Sequence, residues 1–215
     1  MSDATLGPVD VSDTEAAIEW RLGLVFFASG FAAILYQLVW QRTLFAVVGI
    51  NTESVTLIVT AFMVGLGLGS LVGGWLSQLR PAGLIARFAW VEIAVAGFGA
   101  LSLPLFRAIG FVTLSLSPPQ TALLTFLVLV CPTLGMGATL PLLAEYLVLR
   151  RPNVGASVGM LYSLNTLGSA VAALAGATVL FRMLGQQGVI WTAVTCNLLA
   201  AIGARWLLKA ARRNQ

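Results

Sequence analysis

The chain has 215 residues, of which 59% are hydrophobic and only 9% charged, and its mean hydropathy is +0.94. A soluble domain carries roughly 25% charged residues, so lipid rather than water must surround most of this polypeptide. The net charge of +4 does not point to nucleic acid, because the basic residues stand singly between apolar runs and form no face that could follow a phosphate backbone. Histidine is absent, which removes the commonest general base and the commonest metal ligand. No metal site and no cofactor is expected. Cys131 and Cys196 each lie inside an apolar run and read as small buried residues rather than a disulfide.

Residues 1–20 form an acidic segment, with Asp3, Asp10, Asp13, Glu15 and Glu19 and no basic residue. A secretory signal needs a positive n-region, so the first apolar helix is expected to act as an uncleaved signal-anchor. Ser12, with Glu15 three residues later, predicts a capping box opening a short interfacial helix. A membrane span needs about 20 apolar residues, since about 30 Å of hydrocarbon is crossed at about 1.5 Å per residue. The first predicted span covers residues 22 to about 40, and the second 54 to about 77, after the polar cluster Asn51-Thr52-Glu53. The third covers 82 to about 103 and stops at Pro104. The fourth follows Ser117-Pro118-Pro119 and reaches about residue 149, with kinks expected at Pro132 and Pro141. The fifth covers 154–184 and the sixth 189–208. Residues 105–117 are too short to cross, and read as the outer end of the third helix or as an interfacial stretch. The predicted fold is therefore an all-α integral membrane bundle of six transmembrane helices over residues 21–209, with a basic cytoplasmic tail at 210–215.

Charge placement orients the bundle. With six spans, Arg21, Arg80, Arg87, Arg150, Arg151, Arg205, Lys209, Arg212 and Arg213 collect on one side, and Arg42, Arg107 and Arg182 on the other. The positive-inside rule then puts both termini in the cytoplasm, with the protein in a bacterial inner membrane. Trp20, Trp75, Tyr146 and Trp206 fall near proposed inner ends, and Tyr36, Trp40 and Trp191 near outer ends, as in interfacial aromatic belts.

Gly65, Gly69 and Gly73 recur every four residues in the second span, and Gly168 and Gly176 lie on the fifth. Lipid supplies no hydrophobic drive between helices, so small residues that let backbones approach are read as packing positions, inside one bundle or at a homo-oligomer seam. Polar residues inside the membrane are few. Glu92 lies near the middle of the third span, where an ionised group costs at least about 2.5 kcal/mol, so it should face the interior with a partner or carry a proton. Asn165, Asn197 and Gln37 read as interhelical hydrogen-bonding groups. The functional alternative is a polar pocket lined by Glu92, Trp90, Tyr162, Asn165 and Gln37, which would suit an organic cation. Arg42 with Glu53, and Glu145 with Arg150, are candidate rim ion pairs.

Four stretches are recognisable. The run Tyr36-Gln37-Leu38-Val39-Trp40-Gln41-Arg42, ending residues 27–42, resembles the first membrane helix of bacterial fused proteins that join a major-facilitator-like membrane region to a spermidine synthase-like domain. Gly65-Leu66-Gly67-Leu68-Gly69-Ser70, Pro132-Thr133-Leu134-Gly135-Met136-Gly137 and Leu161-Tyr162-Ser163-Leu164-Asn165 match it in the same order, over about residues 27–205. The resemblance implies a bundle like the N-terminal half of a major-facilitator transporter. One departure bears on transport: Gln78 stands where the loop motif of those transporters has an aspartate. The other concerns the enzyme, because nothing after Arg213 would form a synthase-like domain. Independently, aminopropyl transfer needs a strand, a glycine-rich turn and aspartates, and the last aspartate here is Asp13.

Three functions are then weighed. The chain is expected to be a non-catalytic membrane module that anchors, or forms a subunit with, a separately encoded partner, such as a spermidine synthase-like protein or a larger complex. The alternative is a small dimeric transporter of a cationic or amphipathic metabolite such as a polyamine. An intramembrane enzyme has the least support, given no histidine and no paired membrane aspartates.

Overall fold

The computed structural model describes the backbone of residues 11–50, 52–79, 81, 83–150 and 153–213, and within these ranges the side chains from residue 18 to 209. Residues 1–10 and 214–215, parts of the predicted acidic segment and basic tail, lie outside the described residues. The helices are α1 (Val11–Val48), α2 (Thr52–Leu79), α3 (Leu84–Thr113), α4 (Pro118–Val148), α5 (Val154–Ala175) and α6 (Phe181–Arg213), with a π-helical turn, Gly176–Leu180, joining the last two. No strand occurs among the described residues.

Five helical stretches are long and apolar enough to cross a membrane: Ile18–Val48, Thr52–Leu79, Leu84–Thr113, Pro118–Val148 and Val154–Lys209. The chain fits a multi-pass membrane protein. Its outer faces agree, for Leu71, Leu174 and Ile202 are 72%, 69% and 63% exposed, and such large apolar groups are stable only against lipid or another apolar surface. The fifth stretch is 56 residues long and runs through the division expected near residue 185. What marks that place is Gly185, whose φ of 63° and ψ of −177° break the helix and kink its path. Only glycine takes this conformation without strain.

Local chemistry sets the other ends. Gly49, at φ 89°, ends α1 and donates its N–H back to the Phe45 carbonyl at 3.0 Å, a left-handed helix stop. At the start of α4 the Ser117 N–H donates to Gln120 Oε1 at 3.0 Å, with Pro118 in the first turn, where its missing N–H does no harm. Asn153 caps α5 by accepting from the Ala156 N–H at 3.1 Å. Two boundary expectations and one burial expectation are corrected. Val11 is already helical, so Ser12 lies inside α1, and among the described residues no separate interfacial helix precedes the span. Pro104 does not stop α3, which continues to Thr113, so residues 105–113 belong to that helix. Cys131 is exposed on the outer surface rather than buried, and both cysteines are free.

Helix α1 is the hub, touching α2, α3, α4, α5 and α6, while α2 packs chiefly on α4 and α3 on α6. Close backbone approach makes these contacts possible. A Cβ on Gly69 would strike the Leu134 carbonyl of α4, one on Gly73 would lie 2.7 Å from Ala138, and one on Gly65 would strike Thr133. From the other side, Gly137 faces the Leu66 backbone, and Gly168 of α5 faces the Phe27 backbone of α1. Gly176 leaves only 2.9 Å to Leu38. Dispersion and interhelical hydrogen bonds, not water exclusion, hold such contacts in lipid. Ser70 Oγ donates to the Gly137 carbonyl at 3.1 Å, Ser169 Oγ to the Gly30 carbonyl at 3.1 Å, and Asn165 Nδ2 to the Phe26 carbonyl at 3.2 Å.

Candidate functional site

On α1 the positions Ser29, Ala33, Tyr36 and Trp40 recur at spacings of four, three and four, which is one helical face. The structure turns that face inward. Tyr36 and Trp40 are fully buried, so neither belongs to an outer aromatic belt. Their rings stack at 5.0 Å, and Trp40 meets Phe62 at 5.9 Å, Phe98 at 5.3 Å and Phe106 at 6.1 Å. The belt expectation relied on distance from the helix end, whereas the periodicity of α1 carries both rings to the centre.

Glu92 sits on the buried face of α3 and is 2% exposed. Ser29 Oγ donates to Glu92 Oε1 at 2.6 Å. The second carboxyl oxygen, Oε2, is buried and has no hydrogen-bond partner. Across from it, on α6, Asn197 is 3% exposed and its Oδ1 is likewise buried without a partner. Glu92 and Asn197 both line a small cavity that also meets Met136 and Thr139 of α4. The space open to the centre of a water-sized sphere is about 10 Å³, close to the least that holds one water. No lysine or arginine lines it. The Thr139 hydroxyl donates to the Met136 carbonyl at 2.6 Å, so its oxygen remains an acceptor. Tyr36 lies within electrostatic range of Glu92, and its buried hydroxyl also lacks a partner.

The pocket expected from sequence is not assembled in this way. Trp90 is two residues from Glu92, which is about 200° around an α-helix, so it points outward. It is 59% exposed, with the Arg205 guanidinium 5.5 Å over its ring. Tyr162 is 62% exposed. Asn165 is half-buried and engages α1 through Phe26, and Gln37 is half-buried one residue from Tyr36 on a different face. None of these four lines the Glu92 cavity. The groups that do, Ser29, Thr139 and Asn197, share a level in the bundle but not a stretch of chain.

The rim pairs are also replaced. Among the described residues no ion pair joins Arg42 to Glu53 or Glu145 to Arg150. The Arg42 guanidinium lies 3.9 Å over the Phe181 ring, and Arg150 lies 4.9 Å over Tyr146. Arginine stacks flat on an aromatic face more readily than an exposed carboxylate holds it.

The arrangement can bind something one atom across and electropositive. The Ser29 hydroxyl lies beside the Glu92 carboxyl group, but a cavity of about 10 Å³ leaves no room for an organic substrate next to it, and no set of three His, Cys, Asp or Glu that could hold a metal ion occurs among the described residues.

Among curated proteins, the chain is similar to polyamine aminopropyltransferase 2 of Streptomyces coelicolor, at 27% identity over 194 residues. The alignment takes in 87% of this chain and 34% of the relative, so the chain spans about a third of the length of the curated relative it matches. No family model matches the chain. No solved structure matches it either.

Proposed function

We propose that this chain is a non-catalytic membrane module that holds a synthase-like catalytic partner at the cytoplasmic face of a bacterial inner membrane. The observation that carries the reading is the shape of the similarity. Nearly the whole chain aligns with a third of an aminopropyltransferase, and the aligned part consists of apolar helices long enough to cross a membrane. The residues support a division of labour. Between residues 14 and 215 the acidic groups are Glu15, Glu19, Glu53, Glu92 and Glu145, so this membrane part itself offers no histidine or aspartate to hold an amine substrate or move its proton.

In this reading the domain crosses six times and resembles one half of a major-facilitator transporter. A 56-residue helix would extend about 84 Å at 1.5 Å per residue, far beyond about 30 Å of hydrocarbon, and the break at Gly185 lets the stretch fold back and cross twice. That α5 and α6 both pack against α1 supports the hairpin. Nine of the twelve basic residues then face the cytoplasm with both termini. The test is co-expression with a synthase-like protein and gentle detergent extraction. A stoichiometric complex is expected, and recovery of a lone monodisperse monomer contradicts the reading.

Glu92 favours a second reading, a small dimeric transporter of a cationic metabolite such as a polyamine. A carboxylate in the bundle interior without a basic partner is the usual mark of a transport path. Its cavity, however, takes about one water and no polyamine in this conformation. Proteoliposomes that take up polyamine, and lose uptake with Glu92→Gln while the protein stays folded, would establish it. No uptake in the parent protein rejects it.

A further inference from the structure

We infer that the Ser29–Glu92–Asn197 cluster is a binding site for one small monovalent cation, sodium, held between α1, α3 and α6. Two oxygens, Glu92 Oε2 and Asn197 Oδ1, are buried without a donor, and both residues line the same cavity. Buried acceptors without a donor call for a partner, and two on residues that line one void point to a shared one. The hydroxyl oxygens of Ser29 and Thr139 stand on the same lining, beside the Met136 thioether and the Asn197 amide nitrogen, so four oxygen-bearing side chains are present, the kind that hard cations take.

Charge and size narrow the ion. The site contributes one carboxylate, and no lysine or arginine lines the cavity. One positive charge neutralises it, whereas a divalent ion would leave a net charge inside hydrocarbon. With room for about one water-sized sphere, the ion must shed its hydration shell, which excludes hydrated magnesium and any organic cation. Potassium is larger and fits less well. A proton on Glu92, or a single water, would also give the two oxygens a donor, so the experiment must separate these. The inference does not depend on the anchoring role, since neither sodium binding nor its absence affects capture of a partner.

The test is the thermal unfolding midpoint of the purified full chain in detergent, in sodium, potassium or choline chloride at equal ionic strength. With sodium near ten times its dissociation constant, the midpoint should rise by about 3 to 6 °C over choline, and potassium should give little of this. Glu92→Gln, which keeps the shape and removes the charge, should abolish the difference. Asn197→Leu should do the same. A midpoint indifferent to sodium, as a resident water or proton would produce, overturns the inference. So does an undiminished sodium effect in Glu92→Gln, which decides the matter should the leucine variant not fold.

Discussion

A carboxylate in the middle of a bilayer is among the costliest single groups a helix can carry, and here its only hydrogen-bond partner among the described residues is one serine hydroxyl. Removing that hydroxyl leaves Glu92 Oε1 buried without a donor as well. Ser29→Ala should therefore cost about 1–3 kcal/mol, read as a lower unfolding midpoint in detergent. In a Glu92→Leu background the same change should cost almost nothing, because the acceptor has gone. Equal costs in both backgrounds would show that Ser29 acts through packing rather than through the hydrogen bond. Trp40 makes the complementary case for apolar contact. It is fully buried against four aromatic rings, so Trp40→Ala should lower stability by about 3–5 kcal/mol. A Trp40→Ala midpoint close to that of the parent would put the ring outside the core.

At the scale of helices, the glycines of α2 divide into two kinds. A side chain at Gly69 collides with the Leu134 backbone, which cannot yield without moving α4. A methyl at Gly67 meets nothing within 4 Å. Gly69→Leu should thus prevent assembly of the α2–α4 pair, while Gly67→Ala should be neutral or slightly stabilising through helix propensity. Folded yield after detergent extraction checks both, and equal losses would contradict the packing described. Gly185 tests the kink. A Cβ in its backbone conformation costs about 1–3 kcal/mol, so Gly185→Ala should lower the midpoint although open space surrounds the position. No loss would mean that the chain can straighten there.

For the whole molecule, what could be read from sequence followed from how strong each periodic signal was. Long apolar runs and their polar punctuation located α2, α4 and the start of α5, because hydrocarbon thickness leaves little freedom in length. Helix ends were less legible. Pro104 looked like a stop, yet a proline within a membrane helix can be tolerated where neighbours satisfy the freed carbonyl. Glu92 stands out in sequence as costly and Asn197 as an interhelical hydrogen-bonding group, but nothing joins them to each other or to Ser29 and Thr139, because these three come from three other helices and meet Glu92 only after packing. Trp90 and Tyr162 were drawn to the site by chemical character alone. Helical phase, read two residues at a time from Glu92, would have turned Trp90 away.

The claim on which the rest stands is an even number of crossings with both ends on the cytoplasmic side. Trp20→Cys, Lys209→Cys and Arg182→Cys, each in a background lacking Cys131 and Cys196, can be labelled with a membrane-impermeant maleimide in intact cells and in inverted vesicles. Positions 20 and 209 are expected to react only in inverted vesicles and position 182 only in intact cells. Labelling of positions 20 and 209 from opposite faces would contradict it.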